Sequence, residues 1–352
     1  MKKLTILTVF LFLPFLAHAQ AGRGVYRFLD LSASSRIAAL GGNNISMPDT
    51  DLNFSFQNPA LLNAQTHGMM GLNFANFLAD VNFGSAVFGW NFGERNFMSF
   101  GVFYIDYGTF LERDEFNQNP GGGDVETFFG AQDLALFITY ARPLTERITV
   151  GGTFKPIFSN FHWYTSFGVA VDLGVSYANP DRLFSAGLVF RNIGHQITAY
   201  HSHEEGRNFE PLPFDILLGI TQQLRYAPLR FSLTLNNLHR WDLSYQITNM
   251  PSNSLNPDDD RDEGIGFIDM AFRRAIFGVE FVPNPNFYVS VGYSHRRNRE
   301  LSIAGTRSLS GFSAGAGIRV RGFQAGFGVM PFQTGLNTFH FSVATSLREF
   351  GL

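Results

Sequence analysis

The chain has 352 residues, a formal net charge of -3, no cysteine, 45% hydrophobic residues and only 16% charged ones. These figures exclude a disulfide framework and give no basic footprint for nucleic acid. Forty phenylalanines and 36 glycines in a chain so poor in charge do not suit a water-facing domain. They fit an exported β-barrel whose outer face lies in lipid.

The first nineteen residues read as a secretory signal. Lys2 and Lys3 supply the positive start, Leu4 to Leu16 the apolar stretch, and Ala17-His18-Ala19 the cleavage site, so the mature chain is expected to begin at Gln20. No later apolar run approaches the roughly 18 residues that a membrane helix needs.

Residues 20–66 are expected to form a plug or periplasmic segment of short helices and turns. Arg36 to Leu40 can make one helical turn or two, stopped by Gly41-Gly42. Met47-Pro48 breaks any regular element, and Asn58 is a good N-cap with Pro59 in the first helical position. Asp49 and Asp51 sit close enough to suggest a metal site. With no other ligands clustered beside them, they read instead as capping or pairing groups.

From residue 67 to 352 the dominant pattern has period two, the mark of strands with two unlike faces. In 165–177 one face is Phe167, Val169, Val171, Leu173, Val175 and Tyr177; the other holds Ser166, Gly168, Ala170, Asp172, Gly174 and Ser176. Fourteen such segments can be placed, at about 67–78, 80–92, 96–108, 132–142, 146–158, 165–178, 182–194, 213–225, 228–239, 274–283, 286–297, 308–320, 322–331 and 336–348. The second face is Gly, Ser, Ala and Thr rather than Lys and Glu, which suits a crowded lumen better than open water. The expected fold is all-β: a transmembrane outer-membrane barrel of 14 antiparallel strands with a short helical N-terminal plug.

Connection lengths test that assignment independently. After even-numbered strands the links are turns, such as Gly93-Glu94-Arg95 and Pro143-Leu144-Thr145, whereas the long links 109–131, 195–212 and 240–273 all follow odd strands. Outer-membrane barrels sort their connections in this way, with short turns periplasmic and long loops outside. Both mature termini are then expected on the periplasmic side.

Alternation turns Lys155, Asp172, Arg191, Arg230, Glu280, Arg319, His340 and Arg348 into the lumen. A basic side chain facing mid-bilayer lipid would cost about 2–4 kcal/mol, so the inward assignment is favoured. Mutual pairing that stiffens the bore is their expected role.

Three loops carry candidate chemistry. Asp258, Asp260 and Asp262 have calcium-loop spacing, with Asp269 near the closing position, but Glu263 stands where the turn glycine belongs and Gly264 comes one late; a solvated acidic loop at 256–264 is the favoured reading. His195, His201 and His203, with Glu204 and Glu205, could offer imidazoles to zinc but lack an ordered scaffold. Asn117 to Asp124 holds three glycines without the Gly-Lys-Ser/Thr of a phosphate loop. Trp163-Tyr164 fits the aromatic belt. No Gly-x-Ser-x-Gly motif, cysteine nucleophile or Ser/His/Asp set is present, so no catalytic, cofactor-binding or metal residues are assigned and an enzyme is not expected.

The pattern Ala38-Ala-Leu-Gly-Gly42, then Asp49-x-Asp51, then Gln57-Asn-Pro-Ala-Leu-Leu62, followed by fourteen strands, resembles the PorV/PorQ branch of FadL-like outer-membrane proteins. The upstream string Gly24-Val-Tyr-Arg-Phe-Leu-Asp-Leu31 adds to the likeness, which spans the mature chain. The resemblance implies a plugged fourteen-stranded barrel in the type IX secretion system of Bacteroidota. It implies membership of the attachment complex that matures cargo and joins it to lipopolysaccharide. In that complex the sortase activity belongs to PorU with PorV as its barrel, while the remaining branch anchors the surface protein PorZ. The implied partners are therefore a PorZ-like surface protein, with PorU and PorV as further components, and outer-membrane lipid. Two alternatives stay open: a FadL-like transporter of hydrophobic compounds, and a PorV-like shuttle for cargo C-terminal domains.

Overall fold

The structure is a computed structural model that describes residues 24–77, 81–113, 126–202, 206–207, 209–240, 267–301, 309–333 and 336–347. The signal sequence, the acidic run 256–264, the glycine run within 117–124, His203 to Glu205 and Arg348 lie outside the described residues.

Fourteen strands follow one another around a closed ring: β1 (Met69–Asn76), β2 (Asn82–Phe92), β3 (Asn96–Arg113), β4 (Glu126–Pro143), β5 (Ile148–Phe161), β6 (Tyr164–Asn179), β7 (Phe184–Thr198), β8 (Asp215–Gln223), β9 (Leu229–Leu235), β10 (Ala275–Asn284), β11 (Phe287–Ser294), β12 (Phe312–Val320), β13 (Phe323–Gln333) and β14 (Leu336–Ser346). Each pairs antiparallel with its neighbour in sequence, and β1 closes the ring on β14 in register from Met69↔Ser346 to Asn76↔Phe339. Closure leaves no barrel edge for another chain to extend. A two-residue ribbon, His201–Ser202 with Gly206–Arg207, stands apart from the ring.

The period-two pattern explains the wall. On β6, Ser166, Gly168, Ala170, Asp172, Gly174 and Ser176 are buried, while Leu173 and Val175 are exposed. Outward side chains such as Leu72, Phe74, Phe100, Phe154 and Phe341 form the apolar exterior. Trp163, 82% exposed, sits in the tight β5–β6 turn at one rim. No described helix is long and apolar enough to cross a membrane.

Several strand ends differ from the sequence reading. β3 and β4 run beyond 108 and before 132, because their ladder resumes after a register shift between Asp106 and Thr109 and continues from Thr109↔Gly130 to Arg113↔Glu126. β9 stops at Leu235, short of 239, where Asn237 takes a positive φ of 52°. β11 stops at Ser294 rather than 297, giving way to the helix α3 (His295–Leu301). A second outer helix, α2 (Phe267–Arg274), leads into β10.

Residues 24–66 fill the bore. Helix α1 (Ser35–Ala39) starts on Ser34, whose side chain accepts from Ile37 N, and stops at Gly41-Gly42 with φ of 98° and 100°. There Gly41 N donates to Ala38 O and Gly42 N to Ile37 O, satisfying carbonyls that the helix leaves open. Asp51 caps the turn Leu52–Phe56, and Asn58 caps Pro59–Leu61 as its sequence suggests.

This segment runs from one mouth to the other. Val25 N donates to Pro211 O in the long β7–β8 connection, and the Tyr26 hydroxyl meets Ser166 Oγ at the start of β6. At the opposite mouth Asp49 meets Arg230, Arg319 meets Thr50, and Leu347 N donates to Gly68 O. The expectation that residues 20–66 begin on the side where the chain ends is therefore not met at residue 24, which lies at the long-connection mouth, opposite Leu347. The reason is apolar: Val25, Tyr26, Phe28 and Leu29 find their cluster with Phe83, Phe103 and Ile157.

Candidate functional site

Glycine on the inner wall lets the plug's backbone come close. A Cβ on Gly174 would lie 2.2 Å from Asn58 Oδ1, and one on Gly292 would lie 2.2 Å from Gly41 N. Real side chains cannot occupy those positions without moving the plug, so the glycine-rich face registers the barrel to this segment. Asn58 donates to Ile45 O within the plug at 2.8 Å and reaches Val175 O of β6 at 3.4 Å.

The charged centre of the bore is built on Arg36. Its Nε donates to Glu280 Oε1 at 2.8 Å, and its Nη2 to Glu280 Oε2 at 2.9 Å and Asp49 Oδ2 at 2.8 Å. Arg230 Nη1 reaches the same two acids, Glu280 Oε2 at 3.0 Å and Asp49 Oδ2 at 3.2 Å. Glu280 is fully buried and also accepts from Ser290 Oγ at 2.9 Å. The guanidinium carbon of Arg36 lies 4.4 Å from the Tyr288 ring centre. Two arginines thus balance two carboxylates between the plug, β9 and β10.

In the plug, burial alone would raise the Asp49 carboxyl, but Arg36 and Arg230 together hold it well below the usual carboxylate range. Asp51 goes the other way: burial pushes it up, and Arg36, 3.8 Å away, offsets that only in part. Asp49 is thus a pairing group, and Asp51 a cap that accepts from Asn53 N at 3.0 Å.

A second buried pair lies on β5 and β6. Lys155 Nζ is 2.5 Å from Asp172 Oδ2 and donates to Asn192 Oδ1 at 2.9 Å, while Asn192 N donates to Asp172 Oδ1. Asn192 has a φ of 56°, at the place where the β6–β7 ladder shifts register between Val171 and Leu173. Arg191 Nη2 donates to Asn43 Oδ1 in the plug, and His340 lies edge-on to Phe83. The lumen assignments of Lys155, Asp172, Arg191, Arg230, Glu280, Arg319 and His340 therefore hold. Arg36, on the plug rather than a strand, escaped a reading built on strand alternation; its signal was a lone arginine in an apolar helical stretch.

At the short-turn mouth a cavity of about 530 Å³ opens beside this cluster. Its polar wall includes Arg36, Asp49, Arg230 and Arg319, with Gln223 and Gln324. The histidines of the β7–β8 region do not gather into a site among the described residues: His195 is exposed on β7 beside the Phe209 ring. Asp269 of α2 pairs with Arg273 at 2.7 Å and His295 at 2.9 Å.

Comparison with solved structures places this architecture. The toluene transporter TodX of Pseudomonas putida aligns with a TM-score of 0.52 at 11% identity, over 90% of this chain and 97% of its own. A TodX variant described as a monoaromatic hydrocarbon channel, deltaS2S3, gives 0.52 at 12% identity, over 89% and 97%. A FadL homologue of Pseudomonas aeruginosa gives 0.46 at 11% identity, over 93% and 100%. No family model matches the chain, and no curated protein matches it. The chain shares the closed-barrel fold of the TodX structures.

Proposed function

We propose that this chain is a non-enzymatic barrel of a type IX secretion attachment complex, a PorQ-like anchor for a PorZ-like surface protein. The observation that carries the reading is the filled bore. Residues 24–66 bridge both mouths and touch the wall through buried ion pairs and glycine-backbone contacts. A barrel so filled offers its mouths for function, and the mouth with the long connections is the larger platform. The likeness of the Gly-Gly and Asn-Pro-Ala segments to the PorV/PorQ branch supplies the identity of the partner.

The test is affinity purification of the tagged protein from native outer membrane in mild detergent, identifying what comes with it. A surface protein that co-purifies with the intact chain, and is lost when 241–266 are deleted from a still-folded barrel, supports the anchor. Its persistence after that deletion moves the dock to another loop. Absence of any surface protein from the intact preparation sinks the anchor reading.

A second reading follows from the fold shared with TodX, a toluene transporter. Transport of a hydrophobic compound needs the plug to yield and an apolar path to open. The polar wall of the short-turn cavity argues against such a path, and a bound apolar compound released on plug movement would argue for it. Capture of cargo C-terminal domains by the purified barrel would instead favour a shuttle role.

A further inference from the structure

The short-turn cavity has one arginine without a described carboxylate partner. Arg36 and Arg230 are paired with Glu280 and Asp49, and Arg36 also with Asp51. Arg319, the third arginine of the wall, is held only by neutral acceptors: Thr50 Oγ1 at 3.2 Å and Gln324 Oε1 at 3.0 Å, with no described carboxylate as an ion-pair partner. Arginine carries five N–H donors, and both of these contacts fall on Nη2, so the rest of the Arg319 fork offers the cavity a place for an acceptor. Arg319, Gln223, Gln324 and Thr50 surround that place with hydrogen-bonding groups, and the volume of about 530 Å³ accommodates a small molecule.

We propose that this cavity binds a small, water-soluble oxyanion, a carboxylate- or phosphate-bearing compound, with Arg319 as its principal charge partner. Arginine suits that ligand because its planar fork meets two oxygens at once. The position adds a consequence. Thr50 belongs to the plug and Gln324 to β13, so an anion seated on Arg319 ties the plug's turn to the wall at one mouth. The inference does not depend on the anchor reading, since the cavity faces the short-turn mouth and not the long connections.

The test titrates the purified full-length barrel in detergent micelles with inorganic phosphate and, separately, with succinate. Ionic strength is held constant with sodium chloride, and binding is read by calorimetry and by thermal stability. Saturable binding of one of these anions is expected, weakened at least about tenfold by Arg319→Gln, which removes the charge. Gln324→Glu gives a second variant that keeps every arginine and supplies a built-in carboxylate; it should weaken binding similarly. Heat-modifiable migration on gels establishes that each variant is a folded barrel, and if Arg319→Gln is not, Gln324→Glu alone decides. Absence of saturable binding to the wild-type barrel overturns the proposal, as does equal binding by the folded variants.

Discussion

The plug is held at its two ends by different physics. At the long-connection mouth Val25, Phe28 and Leu29 are buried among Phe83, Phe103 and Ile157, and burial of apolar area does the holding. At the short-turn mouth the hold is ionic, with Arg36 and Arg230 clasping Glu280 and Asp49. The apolar end tolerates small shifts and responds weakly to pH. The ionic end has one geometry, because desolvated charges repay their burial only when every partner is in place. A plug built this way is expected to loosen from the charged end first.

That contrast can be broken most forcefully at Glu280. Glu280→Ala leaves Arg36 and Arg230 in the bore with only Asp49 between them. Loss of about 3–5 kcal/mol of plug docking is expected, seen as fast hydrogen exchange across 34–58 with the β-ladder still protected. Unchanged exchange there would show that the apolar end alone holds the plug. Leu29→Ala attacks that other end and should cost about 2–3 kcal/mol, with new exchange confined to residues 24–33. If exchange instead spreads to Arg36, the two ends are one cooperative unit.

Smaller effects sharpen the comparison. Gly174→Ala puts a methyl group against Asn58 and Pro59, and a cost of about 1–3 kcal/mol is expected, measurable as increased trypsin nicking at Arg36. Acid gives the mildest perturbation. The carboxyl of Asp49 is depressed in the folded plug, so its contribution is complete above the ordinary carboxylate pKa of about 4 and is lost as pH falls below that toward its folded value. Asp51, raised by burial, has the opposite sign: its cost is present at higher pH and is relieved as pH falls toward the ordinary carboxylate pKa, before the loss at Asp49 begins. Plug opening near Asp49 should therefore not increase as pH falls from 7 toward the ordinary carboxylate range, and should rise only in stronger acid. Leu29→Ala should leave that pH profile unchanged in shape.

The wall was legible in the sequence because alternation is local: each strand shows its own two faces without knowledge of its neighbour. The Gly41-Gly42 stop and the Asn58-Pro59 start were legible for the same reason. What the bore contains was not. Ser35 N donates to Ser342 Oγ across 307 residues of chain, and Arg36 meets Glu280 across 244. Nothing near Ser35 or Arg36 names those partners. Strand ends were missed where ladder geometry overrode pattern, at the Asp106/Thr109 shift and at Asn237. The small inner face was correctly read as crowded, although its occupant became evident only when Asn58, Ile45 and Gly41 were found against the glycines.

The course of residues 24–66 from one mouth to the other also constrains how the molecule is put together. A cord lying along a pipe can be laid in before the last seam is joined, or drawn end-first through a finished one. Where glycine walls leave less than a methyl group of clearance at Gly174 and Gly292, the finished pipe has little slack for drawing. The β1–β14 seam, formed by the strand that directly follows the cord and the last strand of the chain, is then the joint to be made last, around a lumen already occupied.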